Sequence, residues 1–254
     1  MTARIAFSAS KRPEAQTALQ RLTKIYGQSG EAEADVIVAL GGDGAMLDAM
    51  RRRFADQKPV YGMNRGTVGF LMNEYSEDDL PERIDRAERA SVNPLRMKVT
   101  DIDGEIHERL AINEVSILRQ TAQTAKLRIL VDGRERMAEL SCDGLMVATP
   151  AGSTAYNLSA HGPILPIGAN LLALTPVSAF RPRRWRGALL RHDAKVEIEV
   201  LAADRRPVAA AADNQEVRNV NKVHIHEDRS QRLTMLFDTG HALDERILRE
   251  QFAY

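Results

Sequence analysis

Val36-Ile-Val-Ala-Leu-Gly-Gly-Asp-Gly44 runs directly into Ala45-Met-Leu-Asp-Ala-Met50. The stretch reads as a short buried strand, a turn of three glycines around one carboxylate, and a helix. Glycines at Gly41, Gly42 and Gly44 let backbone approach backbone or ligand closely, and the helix start offers unpaired N–H groups at the positive end of its dipole. That is a site for an anion. Asp43 is at odds with it, because a carboxylate beside a phosphate repels it unless it binds a bridging cation or takes a proton from an incoming hydroxyl. A tight strand-to-helix turn with an Asp near the cap would need no ligand at all, and the four-residue string alone does not separate these readings.

Working outward, residues 4–7 predict a first strand, and Ala15, Leu19, Leu22 and Ile25 recur at helical spacing over 14–26. The helix after the glycine turn extends to about Phe54, and Pro59-Val-Tyr-Gly-Met63 is a third strand. Alternating strands and helices imply an open, mostly parallel α/β sheet, with ligands beyond the carboxyl ends of its strands. Asn64-Arg-Gly-Thr-Val-Gly-Phe-Leu71 is either a second glycine loop converging on the same crevice or an ordinary loop. Ser76 and Asp79 resemble a capping box for a helix to about Ala90, and Asn93-Pro94 breaks the pattern.

From Leu95 the chain becomes rich in strands, at 95–100, 106–118, 126–131, 135–140 and 145–149. Asp103-Gly104 and Asp132-Gly133 are hairpin turns between them. Further strands are expected near 171–175, 187–190, 195–201, 208–211, 220–226 and 232–237. The expected organisation is therefore an α/β domain over 1–92 and a mostly antiparallel, β-sandwich-like domain over 93–239. An amphipathic helix over 240–254 packs back on the first domain.

With 254 residues the chain can bury the core of two modest domains. Lys plus Arg equals Asp plus Glu, 35 each, which argues against a general nucleic-acid or membrane-surface binder. The N-terminus lacks a signal-peptide pattern, and no apolar run approaches the ~20 residues needed to span a bilayer, so a cytoplasmic protein is expected. Cys142 is the single cysteine, which excludes an internal disulfide and a cysteine-rich zinc site.

Other residues carry possible chemistry. Asn113-Glu114 interrupts the apolar run Leu110–Leu118; such a pair grips ribose hydroxyls or a base edge, or else marks a solvated edge strand. Thr149-Pro-Ala-Gly-Ser-Thr-Ala-Tyr156 enters a turn where Ser153 or Thr154 can cap a short helix, with Tyr156 offering a flat face to a base or a hydroxyl to a phosphate. The lysine and spacing of a Walker loop are missing. Arg181-Pro-Arg-Arg-Trp-Arg186 is a solvated loop or a phosphate or partner contact, and His224 with His226 lacks a third ligand for a metal.

Taken together these residues resemble the NAD kinase family. The resemblance rests on Gly41-Gly-Asp-Gly44, Gly62-Met-Asn-Arg-Gly-Thr-Val-Gly-Phe-Leu71 and Asn113-Glu114, and on Asp143-Gly-Leu-Met-Val-Ala-Thr-Pro-Ala-Gly-Ser-Thr-Ala-Tyr156 continuing as Asn157-Leu-Ser-Ala-His-Gly-Pro-Ile-Leu165. It implies transfer of the ATP γ-phosphoryl group to the 2'-hydroxyl of the adenosine ribose of NAD, in a crevice between the two domains. Asp43 would be the proton acceptor, and Gly41, Gly42 and Gly44 the phosphate-donor loop. NAD would be held by Asp43, Gly44, Asn113, Glu114, Asp143 and the segment Thr154, Ala155, Tyr156, Asn157, Leu158 and Ser159, with Phe70 as a wall for the adenine. Asp213-Asn-Gln215 stands where the family has an Asp-Gly-Gln-like step, which assigns Asn214 and Gln215 to NAD as well. His161 and Pro166 depart from the family pattern. The resemblance also implies a divalent metal ion, Mg2+, bridging the donor phosphates, and a homodimer or homotetramer. A lipid or sugar kinase with the same glycine turn, or a non-catalytic dinucleotide sensor, is the alternative.

Overall fold

Residues 3–66, 69–183, 185–240, 245–248 and 252 are described by a computed structural model of the chain. They form two compact units, one of 1–92 with 231–254 and one of 93–230. In the first, β1 (Ile5–Ala9), β2 (Val36–Gly41) and β3 (Val60–Asn64) run parallel, with Ile5 opposite Val36 and Ile37 opposite Val60. Every residue of β2 is buried, which is why its sequence is a continuous apolar run rather than an alternating one. The crossover helices α1 (Pro13–Tyr26) and α2 (Asp43–Arg51) bury Ala15, Ala18 and Leu22, and Met46, Ala49 and Met50.

Two expectations change here. The third helix, α3, covers only Leu80–Arg86, and Asp79 precedes it in the left-handed region (φ 53°) with no side-chain cap. Ser76 instead accepts the N–H of Asp78 through Oγ, so the capping box is absent. The residues read as the end of that helix form β4 (Glu88–Val92), because strand pairing is available to them. Their partner is the second correction. Leu233–Phe237, numbered β17 in chain order, was expected in the β domain but enters the first sheet, parallel to β3 and antiparallel to β4. The sheet order is β1-β2-β3-β17-β4. Buried Asn73 locks β17 in place, donating from Nδ2 to the carbonyls of Gly62 and Leu236 and accepting the N–H of Asp238. Tyr61 and Arg83 both bind the Asp238 carboxylate, at 2.6 Å each.

Of the terminal helix, 245–248 are helical among the described residues, and the rest of that expectation lies outside them. Ile247 is buried, and the Arg246 guanidinium donates to the carbonyls of Phe70 and Met72 beneath the Phe237 ring.

The second unit holds β5 (Leu95–Asp101), β6 (Ile106–Ala111), β7 (Glu114–Arg119), β8 (Ala125–Val131), β9 (Arg134–Cys142) and β10 (Gly144–Ala148). After a short helical region come β11 (Leu171–Val177), β12 (Ala188–Arg191), β13 (Val196–Val200), β14 (Val208–Ala212), β15 (Gln215–Val217) and β16 (Val220–Glu227). They make two antiparallel sheets, β12-β11-β10-β7-β14-β15 and β6-β5-β16-β13-β8-β9. Leu95, Met97, Val99, Ile198 and Val223 of one sheet share a core with Val115, Ile117, Leu145 and Val147 of the other. The Asp-Gly turns join β5 to β6 and β8 to β9, and Asp132 and Gly133 both take positive φ, as a two-residue hairpin turn demands.

The run 106–118 is therefore not one strand. Asn113 stands between β6 and β7, where the chain passes from one sheet to the other.

Candidate active site

The loops after the three parallel strands of the first unit are tied to one another. Ser10 N–H donates to the Leu40 carbonyl (2.9 Å) and Arg65 N–H to the Gly41 carbonyl (2.7 Å). Gly41 has φ +153°, and a Cβ there would lie 2.7 Å from that of Ala45, so glycine is required for the helix to start so close to the strand. Gly42 and Gly44 are different: a Cβ on either would meet nothing within 4 Å. Their surface is open at the N-terminal end of α2, beside a cleft of about 580 Å³ lined also by Ser10, Lys11, Arg12 and Arg52. Helix N–H groups, two bare glycines and three cationic side chains are the groups that a polyphosphate would require.

Asp43 opens α2. Its Oδ2 accepts the N–H of Phe70 and its Oδ1 that of Leu71, both at 2.8 Å. The carboxylate thus draws the second glycine loop onto the first, which decides between the two readings of that loop. Thr67 and Val68 of the loop lie outside the described residues. Each Asp43 oxygen keeps further lone-pair capacity for an incoming hydroxyl. A larger cavity of about 670 Å³, bordered by Glu74, Asp79, Arg83 and Asp238, has no glycine in its lining and is built around the Arg83–Asp238 ion pair.

In the second unit the passage at 112–114 is fastened from several sides. Thr149 donates from Oγ1 to the Ile112 carbonyl (2.8 Å) and from N–H to the Asn113 carbonyl (2.9 Å). A Cβ on Gly152 would stand 2.2 Å from the Asn113 carbonyl oxygen, so glycine there permits the close approach of the two turns. Asn113 Oδ1 and Glu114 Oε2 are buried without a protein hydrogen-bond partner, and Glu114 is 9% exposed. Burial, followed by the neighbouring Asp213 charge, pushes Glu114 up to about 7. An orphaned amide oxygen beside an orphaned carboxyl is what a ligand's hydroxyls and nitrogens would satisfy.

The remaining predicted residues divide. The Asp143 carboxylate is paired with Arg119 at 2.6 Å, half-exposed. Tyr156 is exposed, as a stacking surface must be. Asn157 is fully buried: Nδ2 donates to the carbonyls of Ser153 and Pro163, and Oδ1 accepts from Thr175 Oγ1. Its side chain holds the segment together rather than reaching outward. Ser153 likewise binds the Pro150 carbonyl and the Leu165 N–H, and does not cap the short helix α4 (Tyr156–Ser159). Asn214 is exposed in the β14–β15 turn, with Gln215 next to it partly buried. Cys142 is buried, and burial pushes its thiol up to about 12, which excludes it as a nucleophile. His224 pairs with Glu197, and Arg181 lies in a turn bridged to Ser141. Among the described residues one cluster has the ligand types of a metal site, Asp101, Glu105 and His107, but it closes a hairpin whose Asp101 already accepts the N–H groups of Asp103 and Glu105.

The sequence-predicted set omits Lys11, Arg12, Arg52 and Arg119, and names Asp213 only as the first residue of the Asp-Gly-Gln-like step. Ser10-Lys-Arg12 was legible as the loop after the first strand of a parallel sheet, at the end where ligands bind. Arg52 gave no such signal, whereas Asp213 was marked by its place in the Asp213-Asn-Gln215 step.

In fold, the chain is similar to two solved kinases. Yeast NADH kinase, in a structure complexed with NADH, superposes with TM-score 0.83 over 97% of this chain and 86% of that one, at 19% identity. An NAD kinase from Archaeoglobus fulgidus, in complex with ATP, gives TM-score 0.75 over 96% and 98%, at 23% identity. The class by fold is thus a two-domain protein, an α/β domain followed by an antiparallel β domain. The models of the ATP-NAD kinase N-terminal and C-terminal domains match residues 1–91 and 112–234. NAD kinases of Hyphomonas neptunium and Caulobacter vibrioides are 72% and 64% identical, over 99% and 98% of this chain and 98% and 96% of theirs. The chain belongs to the ATP-NAD kinase family.

Proposed function

We propose that this protein is an NAD kinase, transferring the γ-phosphoryl group of ATP to the 2'-hydroxyl of the adenosine ribose of NAD to give NADP. The observation that carries the reading is Asp43: a carboxylate at the start of α2, fixed by two N–H bonds, beside open glycines and a cationic cleft. Gly41, Gly42 and Gly44 form the donor loop, with Lys11, Arg12 and Arg52 facing the phosphates. Asn113, Glu114, Asp143, Tyr156 and the neighbouring Thr154–Ser159 backbone hold NAD, with Phe70, Asn214 and Gln215 at its periphery. Asn157 acts through the shape of that segment. The sequence kinship with NAD kinases and the ligands of the two structural neighbours, NADH and ATP, support this choice of substrates.

Phosphoryl transfer has a loose transition state, so the chain's work is positioning and charge neutralisation. Asp43 orients the 2'-hydroxyl and takes its proton as the bond to phosphorus forms. A divalent ion, Mg2+, held by the phosphates of ATP would neutralise their charge, in keeping with a cleft whose carboxylates are otherwise engaged, Asp43 by two N–H groups and Asp48 by Arg51. A homodimer or homotetramer in the cytoplasm completes the proposal. A coupled assay for NADP with MgATP and NAD tests it: steady NADP formation is expected, and phosphorylation of a lipid or sugar with none of NAD would replace this reading.

A further inference from the structure

Asp213, the first residue of the Asp213-Asn-Gln215 step, sits at the passage between the two sheets. Its Oδ2 accepts the N–H of Ile112 (2.9 Å), and its Oδ1 those of Asn113 (2.9 Å) and, at greater length, Glu114 (3.4 Å). Its own N–H donates to the Glu114 carbonyl (3.0 Å), closing a ring around the turn. The left-handed conformation of Asp213 (φ 52°) aims the carboxylate back at these donors.

Glu114 is the second half of the arrangement. Across the sheet Ala148 faces it from β10, and on the β14 side, where Ala212 pairs with Val115, the next residue is Asp213 itself, bonded to the Glu114 carbonyl. Among the described residues, the charge that acts on Glu114 is that of Asp213, delivered by the β14–β15 turn. A buried carboxyl beside a half-buried one does not readily carry a second charge, and the three N–H donors stand on Asp213.

We propose that Asp213 is a positioning residue that presents Asn113 and Glu114 as one rigid hydrogen-bonding edge, in which Glu114 serves as a neutral acid, donating a hydrogen bond to a ring nitrogen or ribose oxygen of the nucleotide. The inference rests on the reading of these two residues as NAD-binding. The push on Glu114 to about 7 agrees with it. As pH rises through that value Glu114 loses its proton, and the bond it donates is lost. An ionised Glu114 accepting from ribose hydroxyls would behave oppositely, with affinity rising as the carboxylate forms.

The experiment pairs two measurements. Calorimetry of NAD binding between about pH 6 and pH 8.5 is expected to show affinity falling roughly tenfold in the wild type, the worth of one hydrogen bond, and no such slope in Glu114→Gln. Carboxyl infrared titration without ligand is expected to show a signal with its midpoint near pH 7 that is absent in Glu114→Gln and moves down by about one unit in Asp213→Asn. An affinity that rises with pH, a slope that survives in Glu114→Gln, or a midpoint unmoved by Asp213→Asn overturns the proposal. If Asp213→Asn does not fold, the sign of the slope in the wild type against Glu114→Gln still decides it. Absence of NAD binding would overturn the functional reading, while the titration separately judges the Asp213–Glu114 coupling.

Discussion

Asp43 combines two tasks in one carboxylate, holding the 70–71 backbone and facing the reacting hydroxyl. Asparagine in its place keeps the size but turns an N–H2 toward one of the two backbone N–H groups. Asp43→Asn is therefore expected to lose ~1–3 kcal/mol of stability from an unsatisfied donor, and roughly 100-fold or more in kcat from the missing proton acceptor. Steady-state rates beside thermal melting separate the two losses, and unchanged turnover would remove Asp43 from the mechanism. Glu114 makes a prediction about stability alone. In the folded chain it binds its proton up to about 7, against an ordinary 4.5. The folded state therefore holds the proton over a range in which the unfolded chain has released it. Stability from this group is complete below the lower value and declines as pH rises through the upper one, by ~3 kcal/mol at most. Urea unfolding of the wild type and Glu114→Gln at about pH 5 and pH 8 is expected to show the decline in the wild type only.

At the scale of elements, glycine serves opposite purposes in the two turns. Gly44 lies in the first turn of α2, and a methyl group there meets no protein atom. Alanine is the better helix former by ~1 kcal/mol, so Gly44→Ala is expected to melt no lower than the wild type. Its methyl group nevertheless occupies the open ground at the donor loop, and KM for ATP is expected to rise about tenfold through misplaced phosphates. Gly152→Ala drives a carbon into the Asn113 carbonyl. It is expected to lower stability by ~1–3 kcal/mol and to weaken NAD binding with it. Melting curves and KM values for both variants check whether the two effects separate as stated.

Across the whole molecule, the last described helical turn reaches back to the first glycine loops. Arg246 binds the carbonyls of Phe70 and Met72, and the N–H groups of Phe70 and Leu71 bind Asp43. A residue 203 positions from Asp43 in the chain thus sets the loop that holds it. Arg246→Ala is expected to lower kcat roughly tenfold with KM for NAD less affected, since the loss is one of positioning. Stopped-time NADP assays at saturating NAD measure it, and an unchanged kcat would detach the C-terminal turn from catalysis.

Periodicity and turn chemistry were sufficient for the parts of this protein that depend on near neighbours: the apolar run of β2, the glycine turn and the Asp-Gly hairpins. Tertiary structure alone decided what depends on distant partners. Leu233–Phe237 has the pattern of any strand, and its place beside β3 follows from hydrogen bonds to Asn73 and from Tyr61 and Arg83 on Asp238. The passage at 112–113 reads as a strand because its departure is held by Asp213 and Thr149, 100 and 36 positions away from Asn113. Asn157 reads as a ligand contact until Thr175 and Pro163 are seen to take its amide. Local sequence sets backbone preference and burial pattern, whereas a carboxylate's or amide's task is set by which donors the fold brings to it, and that is a property of the closed chain.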